Sequence, residues 1–268
     1  MASLDQTFMI NMALSFLVGS IWVTAITVIA ERFGSKVGGF IGGLPSTIVI
    51  ALLFIGLTQS AESASQAAVM IPLVMGVNGF FIMIYLATVR RGVYIALSIA
   101  LFFWFIVNGT IVLSGIEALW ISILGWLVVL GISFYITEYV MVITSKGGIR
   151  VPYTLQQMLA RGMVSGFIIS LAVLVSRLAG PVVGGIFTTF PVIFMSTLYI
   201  TYRTGGAEFS RAVAKTLMLS GMVNVGVYAI VAHYAYLHTD LLWGTLISMV
   251  ISSFSASITY RVIRRMTQ

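Results

Sequence analysis

Apolar residues neither alternate along this chain nor recur on one helical face. They run in blocks of about twenty, divided by short polar breaks. A block of that length, at 1.5 Å per residue, crosses a ~30 Å hydrocarbon core as a helix. The blocks predict nine spans, at 9–30, 37–57, 67–88, 93–114, 118–142, 159–179, 182–202, 213–236 and 241–262, with one longer polar stretch at 144–157. They are too long for the roughly ten-residue alternating strands of a membrane barrel. The expected fold is an all-α integral membrane protein.

Composition agrees. Of 268 residues 60% are hydrophobic and 8% charged, with mean hydropathy +1.10, against about 25% charged in soluble domains. Nine spans leave no room for a soluble catalytic domain. Cysteine is absent and only His233 and His238 are present, which excludes disulfides and cysteine-ligated metals and argues against a histidine-rich metal site. The net charge of +7 is explained by topology. Nine spans place every Lys and Arg except Arg177 on one side, the asymmetry expected of cytoplasmic loops. The N-terminus is then outside and the C-terminus cytoplasmic, in a multi-pass protein of the cell membrane. No basic soluble surface exists for nucleic acid. Residues 1–7 lack the basic start and cleavage site of a secretory signal, so helix 1 reads as a retained span.

Shifting the chain by 146 residues superposes it on itself. Gly34 meets Gly180, Gly38-Gly39 meets Gly184-Gly185, Pro45 meets Pro191, Ala61-Glu62 meets Ala207-Glu208, and Val77-Asn78 meets Val223-Asn224. The frame needs no gap and gives 13 identities over the 45 positions from 34 to 78. The expected organisation is repeat one at 1–115 (helices 1–4), a linker at 116–157 holding helix 5, and repeat two at 158–268 (helices 6–9). Equivalent helices are separated by five crossings, so the repeats should lie antiparallel. Inverted repeats are common in secondary transporters, with the site at the midplane between halves.

Two broken helices mark that midplane. Helix 2 contains Gly38-Gly39-Phe40-Ile41-Gly42-Gly43-Leu44-Pro45-Ser46-Thr47, and helix 7 contains Gly184-Gly185-Ile186-Phe187-Thr188-Thr189-Phe190-Pro191. An internal proline removes a backbone hydrogen bond and clashes with the preceding turn. Such breaks are tolerated in a bilayer only beside protein or a water-filled cavity. Each break starts a half-helix whose free N–H groups favour an anion or a carboxylate. Ser46, Thr47, Thr188, Thr189 and Gly43 are expected to line the site with Pro45 and Pro191. The glycines also have the Gly-x-x-x-Gly spacing of close helix packing. Asn78 and Asn224 each fall about twelve residues into a span, where an amide needs partners. They are expected to bind substrate or to join helices. Asn108 has no counterpart in the repeat and ranks below them.

None of the seven acids sits at the centre of a span, which argues against proton coupling through a mid-membrane carboxylate. Glu31 and Glu138, near cytoplasmic helix ends, are gate candidates. Glu62 and Glu208 precede helices 3 and 8, where the helix dipole favours them. No nucleotide-binding loop, zinc motif or nucleophile elbow occurs, and the chain is not expected to be an enzyme or to hold a cofactor.

The segment from Gly38 to Thr47, the polar turn at Glu62 and the third span that follows resemble the small GlpM-type bacterial membrane proteins, of about four spans with a proline in the second. The resemblance implies a fused, antiparallel pair of such units; repeat two departs from it at Thr188-Thr189-Phe190-Pro191-Val192. The function expected is that of a secondary transporter or facilitator for a small polar or anionic solute. A coupling ion such as Na+ and a homodimer are compatible with it. The alternatives are a passive ion channel, and a non-transporting assembly or lipid-handling protein.

Overall fold

The computed structural model describes residues 5–32, 45–143 and 153–266. Ten α-helices account for most of them. These are α1 Gln6–Arg32, α2 Ser46–Thr58, α3 Ala61–Ala68, α4 Ile71–Thr88, α5 Val93–Ser114, α6 Leu119–Tyr135, α7 Leu155–Ala179, α8 Pro181–Thr188, α9 Val192–His238 and α10 Leu241–Met266. A π-helical segment, Ile136–Val140, extends α6.

Local chemistry sets the boundaries. Ser60 caps α3 by accepting the Ser63 N–H, and Thr154 with Gln157 forms a reciprocal capping box at the start of α7. α9 bends at Gly206, whose φ of +75° only glycine adopts without strain.

Among the described residues, seven helical stretches are long and apolar enough to cross a membrane by length and composition. The nine expected spans differ from these at two places. Helix 2 contributes only the 13 residues of α2, the remainder lying outside the described residues. Helices 7 and 8 form one 58-residue stretch, Pro181–His238, broken at 189–191 and bent at Gly206. The polar stretch 203–212, expected to separate two spans, holds the non-helical Gly206 at which the two limbs of α9 part, with helix resuming directly on either side. Helix 3 also begins early, because 61–68 forms the separate α3. Its small residues Ala64, Ser65, Ala67 and Ala68 are buried.

The element order recurs at the 146-residue offset. α1 corresponds to α7, α2 to the first limb of α9, α3 with α4 to the second limb, and α5 to α10. Equivalents pack on each other, α1 against α7 and α4 against α9. The α1–α7 crossing is close. A β-carbon at Gly162 or Gly166 would collide with Thr24, Ser20 or the Phe16 carbonyl, so small residues are required here for the two backbones to approach.

α4 and the second limb of α9 form the centre, with Trp104, Tyr85, Tyr228 and Phe81 wholly buried. The flanking helices α1, α5, α6 and α10 are mostly exposed, and their exposed residues include Phe102, Leu113, Trp120, Val128, Leu246 and Phe254. An apolar exterior this extensive is consistent with a multi-pass membrane protein.

Candidate functional site

The site is built where the start of α2 meets the break between α8 and α9. Pro45 precedes α2 and Pro191 precedes α9, and neither helix carries a side-chain cap. Between α8 and α9, Thr189, Phe190 and Pro191 leave the helical path. Together the start of α2 and this break border a partly open cavity of about 50 Å³. Its wall includes four pairs related by the repeat: Pro45 with Pro191, Thr47 with Ile193, Ile48 with Phe194, and Met75 with Gly221. Asn78 completes one side.

Asn78 is fixed from both ends. The Trp104 indole N–H donates to its Oδ1 at 2.7 Å, and its Nδ2 donates to the Thr189 carbonyl at 3.0 Å. That carbonyl belongs to the break, so the amide takes up an acceptor that the interrupted helix leaves behind. Trp104 also packs edge-to-face on Phe190 at 5.3 Å between centroids. α4, α5 and the break are thereby tied together.

The hydroxyls of Ser46 and Thr47 line the cavity without a hydrogen-bond partner among the described residues, and Ser46 is only 6% exposed. Thr188 and Thr189 are placed differently. Each hydroxyl turns back on its own helix, Thr188 to the Gly185 carbonyl and Thr189 to the Ile186 carbonyl, both at 2.6 Å. Thr189 still borders the cavity; Thr188 does not. Asn224 is wholly buried and lies off the cavity wall. Its Nδ2 donates to Ser220, and its Oδ1 accepts from Ser255 and Thr259 of α10. It links the second limb of α9 to α10. Asn108 caps no cavity either, its amide donating to the Trp104 carbonyl one turn back.

The glycine pair in repeat two serves close approach. A β-carbon at Gly185 would strike the Ala67 carbonyl, and one at Gly184 the Ser176 side chain and Ala172 carbonyl. α8 therefore lies directly on α3 and α7. Gly43 and the Glu31 side chain lie outside the described residues.

Glu138 sits in the π-helical segment and accepts from Lys215 of α9 at 2.5 Å. Lys215 also donates to the Ile143 carbonyl at 2.6 Å. The lysine side chain is 3% exposed, the glutamate 29%. Lys215 lies six residues before Gly221, about 9 Å along the helix from the cavity wall. Glu208 pairs with Arg90 and Arg211 nearer the surface. At the opposite end of α9, His233 is bonded to Ser65 of α3 at 2.9 Å.

The residue pattern did not single out Met75, Trp104, Phe190, Gly221, Val225 or Lys215. The repeat offset carried a usable signal for one pair, since Met75 and Gly221 are equivalents one turn before Asn78 and Asn224. Nothing in the sequence distinguishes Lys215 from the surface cations.

No curated protein and no solved structure matches the chain. A family match occurs twice, at residues 12–118 and 158–265. The two segments reproduce the repeats read from the 146-residue offset and carry no link to the GlpM-type proteins. Together they cover most of the chain, and the chain belongs to the family described as "Protein of unknown function (DUF3147)", of which it holds two copies in tandem.

Proposed function

We propose that the chain is a secondary transporter or facilitator of the cell membrane, moving a small polar or anionic solute by alternating access between two inverted repeats. The observation that carries this reading is the cavity where the start of α2 meets the break between α8 and α9, walled by repeat-equivalent pairs. Two halves of like structure, packed through their own equivalents, have two related arrangements of similar energy. Rocking one half on the other opens the midplane site to either side in turn.

Nine crossings place the repeats antiparallel, with the N-terminus outside and the C-terminus cytoplasmic. Ser46, Thr47, Asn78 and the break at Thr189–Pro191 hold the solute. The Lys215–Glu138 pair closes the cytoplasmic side. Its glutamate sits on a π-helical turn, a local irregularity often found where helices carry function. In this reading no cofactor is required and no bond of the solute is broken. A coupling ion such as Na+ and pairing of two chains in the bilayer are part of the same proposal.

The test is solute uptake into liposomes reconstituted with the purified chain. Saturable uptake, accelerated when unlabelled solute is loaded on the far side, is expected of alternating access. Unsaturable current at single-channel rates would replace the carrier with a channel. Absence of any flux across a panel of anions, amino acids and nucleosides would remove the transport reading.

A further inference from the structure

Among the described residues the cavity wall holds no acidic and no basic side chain. The N–H groups of Ser46, Thr47 and Ile48 at the start of α2 have no partner among the described residues, nor do those of Ile193 and Phe194 at the start of α9. Two helix N-termini thus converge, each carrying about half a positive charge. Ser46, nine-tenths buried, adds an O–H that faces the cavity with no acceptor among the described residues. Thr47 adds a second.

The acceptors a cation would need are committed. The Asn78 Oδ1 takes the Trp104 indole and the Thr189 carbonyl takes the Asn78 amide. The Thr189 hydroxyl is turned to the Ile186 carbonyl. Among the described groups, unpartnered N–H donors outnumber unpartnered acceptors, which are the hydroxyl oxygens of Ser46 and Thr47.

From this we infer that the cavity binds one small monovalent anion, such as chloride, nitrate or formate, stripped of part of its water. The inference rests on the reading of the cavity as the solute site and narrows the solute's class. Two half-charges balance a single negative charge. A volume of about 50 Å³ holds roughly four water-sized occupants at ~10–15 Å³ each, so an anion seated there sheds the part of its hydration shell that meets the wall. The rest of the wall, Ile48, Met75, Phe190, Ile193, Phe194 and Val225, offers nothing to replace the water of a divalent oxoanion.

The full-length purified chain in detergent provides the test, through its thermal unfolding against sodium chloride, nitrate, formate, sulfate and phosphate. A ligand held only by the folded state raises the midpoint saturably. The range is kept to low millimolar salt, where exclusion of ions from the protein surface contributes little. The expected result is saturable stabilisation by the three monovalent anions, unchanged when Na+ is replaced by K+ or choline. Ser46→Ala should weaken it roughly tenfold or more, the effect of one hydrogen bond to a charged group. Exposed Ser98→Ala should not. Thr47→Val takes the place of Ser46→Ala if the latter does not fold. Sulfate or phosphate binding as tightly as chloride, a response that follows the cation, an undiminished response in the variants, or no saturable response would each overturn the assignment. Anion binding without flux would keep this site and remove the transport reading. Flux of a neutral solute without anion binding would do the reverse.

Discussion

Removing Glu138 should destabilise the protein far more than removing Lys215, although the two form one ion pair. The asymmetry follows from burial. In Glu138→Ala the ammonium of Lys215, 3% exposed, is left inside the protein with the Ile143 carbonyl as its remaining partner. Stranding a buried charge costs about 3–5 kcal/mol. In Lys215→Met the unpaired group is the carboxylate, 29% exposed, which can turn to water while the methionine fills the lysine's volume. The expected cost is about 1 kcal/mol, chiefly the donor lost to Ile143. The double variant Glu138→Ala/Lys215→Met should recover most of the stability lost by Glu138→Ala. Equilibrium unfolding in mixed detergent micelles reads all three. Equal losses in the two single variants, or no recovery in the double, would mean that the pair is solvated.

Asn78→Leu should cut solute flux at least tenfold and leave a folded protein. The substitution takes the acceptor from the Trp104 indole and the donor from the Thr189 carbonyl. It also places a branched side chain against a cavity of about 50 Å³. Interhelical hydrogen bonds in membranes average only ~0.6 kcal/mol, so the stability cost should stay near 1–2 kcal/mol while the site is filled and its break untied. Trp104→Phe is the companion variant. It keeps the amide and removes its anchor, and flux should fall less than in Asn78→Leu. Asn224→Leu should behave in the opposite sense, with a larger loss of stability than of affinity, because it lies off the cavity wall and its bonds to Ser220, Ser255 and Thr259 tie α9 to α10. Full flux in Asn78→Leu would take Asn78 out of the site.

The all-helical, strongly apolar fold, the duplicated unit and the break before Pro191 were legible in the sequence. Each rests on chemistry that context cannot override: long apolar blocks, and prolines and glycine pairs whose backbone consequences are fixed. Side-chain roles were less legible. Asn78 and Asn224 are identical and equivalent, yet their neighbours are not. Trp104 of α5 corresponds to Val250, and Ser255 of α10 to Gly109, so one amide is anchored beside the cavity and the other is drawn to α10. Thr188 and Thr189 illustrate a second limit of pattern. A hydroxyl on a helix can always satisfy itself on the preceding turn, and both do. Lys215 illustrates a third. Counted among loop cations it explains topology, but only packing reveals that it is buried against Glu138. The stretch 203–212 reads as a loop from its polarity, and the structure narrows that loop to a break at Gly206 between two helical limbs.

The central claim is that a polar site between the two breaks is reached from both sides of the membrane, and the natural absence of cysteine allows it to be tested directly. Thr47→Cys introduces a single thiol on the cavity wall, and Ala51→Cys, one turn further along α2 and wholly buried, serves as the control. Both are reconstituted and treated with a membrane-impermeant thiol reagent from the outside alone or the inside alone. The expected result is labelling of Thr47→Cys from either side, slowed by bound solute, with Ala51→Cys unlabelled. Labelling from one side only, or none from either, would contradict alternating access through this site.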